Sequence, residues 1–218
     1  MTLIIGAECQ DGIVLGSDRR LRRGEEVEHE DKIFQMNNSI IGCVGLTGIR
    51  DDFLLIMSSE IARIRPRSLY ELKVIVEDVV NDLSDRYRGR LGPGEEQIEA
   101  ILGGLEYLNS GNAKLYHVIG GYAESIRFLC IGHGSPYATS ISKFLYRRDA
   151  SVEEMAKMIT FTIAWVAEDI DASVGGKPQV LIAKNENPSV ETLEDNIVEE
   201  MEIKAKEMKN KLKDIIKL

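Results

Sequence analysis

Two groups of short apolar runs, each followed by a pair of amphipathic helices, set the strongest limit on what this chain can fold into. Thr2–Cys9 and Ile13–Ser17 are apolar runs split by Gln10-Asp11-Gly12. Asp-Gly between two such runs signals a hairpin, because Gly tolerates positive φ. A charged loop over Arg19–Asp31 comes next. A second hairpin follows, in which Asn37-Asn38 divides Lys32–Met36 from Ile40–Val44. Phe53, Leu54, Met57, Ile61 and Ile64 then fall at helical spacing, which predicts a helix from Thr47 to Ile64, stopped by Pro66. Ser68 with Glu71 marks the start of a second helix reaching Tyr87, and Gly89–Gly94 is a turn-rich break.

The pattern then repeats. Strands are expected at Gln97–Gly103, Ala113–Ile119 and Ser125–Gly132, and helices at Ser135–Tyr146 and Val152–Asp169. Ser151 with Glu154 opens the second of these helices. Gln179–Ala183 reads as a last strand. Hairpin-rich blocks that each give way to a helix pair predict two sheets stacked face to face with helices outside. Residues 1–187 form this unit. The segment 188–218 differs: Val190, Leu193, Ile197, Met201, Ala205, Met208, Leu212 and Ile215 make one apolar stripe along a helix. That stripe serves either as packing against its own domain or as an oligomer contact.

Composition narrows the function classes. The chain has 218 residues, 44% apolar and 29% charged, as in a globular domain with a substantial core. A net charge of −9 argues against a nucleic-acid binder. No run approaches the roughly 20 apolar residues of a membrane span, and the N-terminus lacks the features of a signal peptide. Cys9, Cys43 and Cys130 sit in apolar runs with no CxxC spacing, which predicts reduced, buried thiols and a cytoplasmic protein. His29, His117 and His133 lack ligand spacing and read as structural, so neither a metal nor another cofactor is expected.

The residue after the initiator methionine is the first chemical candidate. Threonine is small enough for removal of Met1 to be expected, which exposes an α-amine on Thr2. An α-amine with a pKa of about 7.7–8.0 acts as a base near neutrality, so an N-terminal threonine carries hydroxyl and base on one residue. Many chains begin Met-Thr, and the weight comes from context. The run from Thr2 through Gly6, Asp11-Gly12 and Asp18-Arg19-Arg20 resembles the start of a mature proteasome β subunit. Lys32-Ile33-Phe34-Gln35 resembles that family's lysine-bearing third strand, and Val44-Gly45-Leu46-Thr47-Gly48 its following glycine turn. Gly132-His133-Gly134-Ser135-Pro136 resembles its Gly-Ser-Pro helix start, and Asp171-Ala172-Ser173-Val174-Gly175-Gly176 its Asp-and-glycine segment. These matches stand in family order from Thr2 to about Ala183.

The resemblance implies an α+β fold, the four-layer αββα sandwich of N-terminal-nucleophile hydrolases, here with a C-terminal amphipathic helix. It implies a threonine peptidase with Thr2 as nucleophile. Asp18 and Lys32 flank it, Gly45 supplies an oxyanion N–H, and Ser135 and Asp171 complete the network around the amine. Substrate-pocket positions fall at Leu21, Cys43 and Thr47. In the family a serine precedes the glycine where this chain has Val174, with Ser173 one residue earlier. The resemblance further implies a peptide or unfolded-protein substrate, a homo-oligomeric ring or stacked rings, and an ATP-dependent unfoldase as a possible partner. The direct start at Thr2 and the long tail point to a divergent, stand-alone homologue. Two alternatives stand beside the peptidase: a transpeptidase, in which an amine resolves the acyl-enzyme, and a catalytically silent scaffold. Retention of Met1 would favour the scaffold.

Overall fold

A computed structural model describes residues 2–23, 26–91, 98–107 and 110–216. Met1, Gly92–Gly94, Gln97 and the side chains of Leu212 and Ile215, all invoked above, lie outside the described residues.

The first hairpin pairs β1 (Leu3–Glu8) with β2 (Gly12–Ser17), and its turn closes with the Cys9 N–H donating to the Gly12 carbonyl at 2.8 Å. Asp11 also accepts the Val152 N–H at 2.8 Å, so the turn residue satisfies one of the open donors that begin a helix. The second hairpin joins β5 (Ile33–Met36) to β6 (Ser39–Val44) through Asn37, whose φ of 54° lies in the left-handed region that asparagine tolerates. Helix α1 (Thr47–Ile64) ends on Arg65 in a left-handed cap just before Pro66. Ser68 caps α2 (Leu69–Tyr87) by accepting the Glu71 N–H, and Glu71 in turn accepts the Arg67 N–H rather than that of Ser68. The capping box at Ser151 and Glu154 is complete and opens α4 (Val152–Asp169).

The segment Arg19–Asp31 is not a loop. It holds a hairpin of β3 (Arg20–Arg23) and β4 (Glu26–His29), in which Leu21 faces Glu28. After β7 (Glu99–Tyr107) and β8 (Ser110–Ile119), the expected single strand to Gly132 is two strands in different sheets. Strand β9 (Tyr122–Ile126) ends one sheet, the chain bends at Arg127, and β10 (Phe128–Gly132) joins the other. Helix α3 (Ser135–Leu145) precedes α4, and β11 (Gln179–Lys184) runs against β2. The tail begins with one more strand, β12 (Asn187–Thr192), so Val190 belongs to a sheet. The final helix, α5, spans Asp195–Ile216.

Two five-stranded antiparallel sheets result, ordered β10-β1-β2-β11-β12 and β5-β6-β7-β8-β9. Ile4, Ile13, Leu15, Ile33, Ile40, Ile101 and Leu115 fill the space between them. On the outer face of the first sheet, Leu3, Ile5 and Val14 pack on Met155, Ile159 and Ile163 of α4 and on Val198 of α5. On the outer face of the second, Ile41 and Cys43 pack on Phe53 and Met57 of α1 and Val76 of α2. The alternation of side chains along each strand therefore supplies two cores per sheet, and the four αββα layers implied by the sequence are present. All three cysteines are buried and free, with burial pushing the thiols of Cys9 and Cys43 up to about 12 and that of Cys130 to about 11. Among the described residues, no helix is long and apolar enough to cross a membrane.

Candidate active site

Asp18 and Lys32 are both fully buried, and the Lys32 ammonium donates to Asp18 Oδ1 at 2.7 Å. This is not a surface ion pair. Asp18 follows the last residue of β2, and its two oxygens also accept three backbone N–H groups: Leu3 at 2.9 Å, Arg20 at 3.2 Å and Gly175 at 3.1 Å. Lys32 stands just before β5, on the opposing sheet, and donates as well to the Arg20 carbonyl at 2.7 Å. Burial pushes its ammonium below the ordinary lysine value, against the opposing pull of Asp18. Burying both charges costs free energy that hydrophobic residues of similar volume would not. The pair therefore earns no presumption of being there for stability.

Thr2 lies directly beside this pair, since the N–H that Asp18 accepts from Leu3 belongs to the Thr2–Leu3 peptide. On its other side the Thr2 carbonyl accepts the Gly134 N–H at 3.4 Å and lies against Gly132. Gly132 has φ of 89°, and a Cβ there would sit 2.3 Å from the Thr2 carbonyl oxygen. Only glycine fits both that backbone and that approach.

Asp171 lies in a loop that bonds through Ala172 and Gly175 to Asp18, Arg19 and Arg20. Its Oδ1 accepts both the N–H of Ser173, at 2.9 Å, and the Ser173 hydroxyl, at 2.6 Å. Its Oδ2 is buried and has no hydrogen-bond partner among the described residues; the exposed His133 brings Nε2 to 3.9 Å. Burial raises the Asp171 carboxyl, but Ser173 and His133 outweigh it and hold it below the ordinary aspartate value. A buried carboxylate oxygen with an unused acceptor position is costly unless something cationic uses it. Ser173, one residue early by the family's pattern, thus orients Asp171, while Val174 points into the core.

The remaining expected residues are placed as follows. Ser135 is the first residue of α3, half-buried; Gly134 is the N-cap and makes no side-chain cap bond, so Ser135 does not serve as a helix cap. Gly45 is exposed between β6 and α1. Positive φ among the described glycines occurs at Gly89, Gly120, Gly121, Gly132 and Gly176, so Gly45 is not there for a left-handed turn. It leads into a helix N-terminus that no side chain caps, where N–H groups and the positive end of the helix dipole are open to an anion. Thr47 is half-buried on the first turn of α1. Leu21 and Cys43, expected to line a pocket, are 6% and 1% exposed. Cys43 faces α1 with Ile41 rather than the cleft, because alternate residues of β6 point to opposite faces. Among the positions expected at a substrate pocket, Thr47 alone keeps appreciable accessible surface.

Sequence reasoning passed over Gln179, Ser173 and His133. The first read only as a strand start, the second as a misplaced serine and the third as a structural histidine. Gln179 and His133 join the site through chain segments far apart in sequence, whereas Ser173 stands two residues from the Asp171 it orients. The buried Arg50 was also missed, on α1 beside the site, where it pairs with Glu30 at 2.6 Å. Helix α5 reaches the back of the site: Glu202 and Lys206 line a cavity of about 200 Å³ together with Arg20, Gly175 and Gly176.

Known proteins resemble this chain in sequence and in fold. The Proteasome subunit family model matches residues 2–183. The proteasome β subunit of Streptosporangium roseum is 28% identical over 186 residues, covering 80% of this chain and 63% of that protein. That of Streptomyces griseus is 27% identical over 181 residues, with the same two coverages. The chain thus spans less than two thirds of the length of either subunit. The proteasome β subunit of Methanobrevibacter smithii is 25% identical over 198 residues, covering 88% of this chain and 91% of that one. Among solved structures, Anbu (ancestral β-subunit) from Yersinia bercovieri superposes with a TM-score of 0.81 at 15% identity, covering 98% of this chain and 96% of Anbu. An Anbu mutant from Hyphomicrobium superposes with a TM-score of 0.78, also at 15% identity, covering 98% and 97%. These two establish the shared fold. The family match extends from Thr2 past Asp18, Lys32 and Asp171, and the chain belongs to the proteasome subunit family.

Proposed function

We propose that this protein is a threonine-type peptidase whose nucleophile is Thr2 after removal of Met1. The observation that carries the proposal is the wholly buried Asp18–Lys32 pair hydrogen-bonded to the Thr2–Leu3 peptide. A lysine whose ammonium is destabilised by burial lowers the cost of negative charge developing on the adjacent hydroxyl. The vacant Oδ2 of Asp171 suits the α-ammonium that forms when the Thr2 amine takes up the hydroxyl proton.

The Thr2 hydroxyl adds to a peptide carbonyl as its proton passes to the α-amine. The Gly45 N–H and the start of α1 stabilise the tetrahedral oxyanion, a contribution of about 2.7–4 kcal/mol per donor in other hydrolases. Collapse expels the amine of the C-terminal fragment, which takes the proton held on Thr2. Water then adds to the ester, with the α-amine again accepting and returning the proton, and the acid departs. The likeness to proteasome β subunits supports a homo-oligomeric ring acting on peptide or unfolded-protein substrates, with an ATP-dependent unfoldase as the partner that would feed it.

A β-lactone or epoxyketone probe tests this. Its mass should appear on a peptide that begins at Thr2, in protein whose intact mass lacks Met1. Processed protein that takes up no probe would remove the peptidase reading.

Gly132 offers a more local check. Gly132→Ala should push the Thr2 carbonyl aside and lower the labelling rate at least 10-fold. The forced left-handed alanine should also cost about 1–3 kcal/mol of stability. Equal labelling rates in the variant and the parent would show that the position of Thr2 does not depend on this contact.

A further inference from the structure

We infer that Gln179 is the positioning residue that holds Lys32 against Asp18. The inference rests on the peptidase reading, because it concerns the alignment of that reading's lysine.

Gln179 opens β11 in one sheet, and its side chain reaches across to the edge strand of the other. It is 8% exposed. Its Nε2 donates to the Ile33 carbonyl at 3.0 Å. Its Oε1 accepts from the Lys32 N–H at 3.4 Å, the Ile33 N–H at 3.4 Å and the Ser17 hydroxyl at 3.5 Å. The register places Gln179 directly opposite Ser17, the residue before Asp18. One amide therefore touches the residue preceding Asp18, the backbone of Lys32 and the residue after Lys32.

The surroundings make a stability role a poor explanation. The space between the sheets is otherwise filled by isoleucine and leucine, and an amide buried there gains nothing over an apolar residue unless all its polar atoms are used. Among the described residues strand β5 pairs with β6 alone, so its other edge has no ladder to fix its start. Lys32 stands just before that strand, outside the ladder, and must aim a four-carbon stem at a carboxylate on the opposite sheet. Side-chain entropy alone would spread the ammonium over several positions. The Gln179 amide clamps both peptide groups flanking the Lys32 Cα, which sets where the stem starts. Preorganisation of this kind lowers a barrier by placing groups before reaction rather than by adding a new contact. Among the described residues, Asp18, Glu30 and Arg50 are charges that act on Lys32.

The test compares Gln179→Leu with Gln179→Glu in full-length processed protein. Leucine keeps the volume and removes every polar contact. Glutamate keeps an oxygen that can accept from Lys32 and Ile33 and loses the donor to the Ile33 carbonyl. The β-lactone labelling rate of Thr2, measured per folded molecule across pH, should fall at least 10-fold in Gln179→Leu, with probe affinity within about twofold of the parent. The pH profile of that rate should move to higher pH as Lys32 relaxes toward an ordinary lysine. Gln179→Glu should recover part of both. If Gln179→Leu loses thermal stability but keeps the parental labelling rate and pH profile, Gln179 is merely structural and the inference fails. If the parent itself is never labelled at Thr2, the peptidase reading fails first, which separates the two outcomes.

Discussion

Thr2→Ala should eliminate covalent labelling and reduce peptide hydrolysis by a factor on the order of 10⁴ or more, as nucleophile removal does in other hydrolases. Alanine is a clean replacement here. Like threonine, it is small enough to permit removal of Met1, so variant and parent share the same N-terminal amine. Thr2 is half-buried and precedes β1, so deleting its hydroxyl should change unfolding free energy by no more than about 0.5 kcal/mol, the scale of surface substitutions. Hydrolysis assays and chemical denaturation, run on the same preparations, separate the two effects. Unchanged hydrolysis in Thr2→Ala would place the chemistry elsewhere.

The second large effect is expected on breaking the buried ion pair. Asp18→Asn removes the carboxylate that the buried Lys32 ammonium bonds at 2.7 Å. Breaking a buried ion pair by removing one partner costs about 3–5 kcal/mol, a large share of the 5–15 kcal/mol that typically holds a domain. Lys32→Met should cost less, because Asp18 keeps the N–H groups of Leu3, Arg20 and Gly175. The double variant, Asp18→Asn with Lys32→Met, buries no charge and should regain most of the stability, yet stay inactive. That divergence between stability and activity is the signature of a pair kept for chemistry. Regained activity in the double variant would contradict it.

The same pair makes a pH prediction. The folded state holds the Lys32 proton less tightly than the unfolded chain does, since burial lowers its pKa. The unfolded state therefore binds more protons between the two pKa values, and stability rises with pH across that interval. The penalty for burying the charged lysine is complete below the folded pKa and is relieved as pH climbs toward the ordinary lysine value of about 10.4. Relative to Lys32→Met, the parent should gain stability as pH rises into the alkaline range, read by urea denaturation at a series of pH values.

The elements legible in the sequence were those with local causes. Asp11-Gly12 and Asn37-Asn38 make hairpins by their own backbone preferences, and Ser68, Ser151 and Pro66 bound helices within one turn of themselves. What stayed hidden had distant causes. The hairpin of β3 and β4 is a run of charges with no apolar alternation, held where Arg19 and Arg20 donate N–H groups to the Gly175 carbonyl. The crossing at Arg127 carries no glycine or proline, because the chain changes sheets by an ordinary bend. Strand β12 contains Pro188, which a sheet tolerates at its edge, and the periodic tail masked it as helix.

The candidate site divides along the same line. The sequence alone determined which residue types were present in order, from Thr2 and Asp18 through Lys32 and Gly45 to Ser135 and Asp171, and so which chemistry was available. It also determined the four-layer architecture, since period-two and helical patterns decide which faces must be buried. Tertiary structure alone decided that Asp18 and Lys32 are fully buried, and that Cys43 turns away from the cleft. It also decided that Asp171 keeps one oxygen unused among the described residues and that Gln179 spans the sheets to reach Lys32. The physical reason is that burial and hydrogen-bond partnership are properties of the space between two sheets. The residues that meet there are as much as 162 positions apart along the chain, beyond the reach of any local pattern.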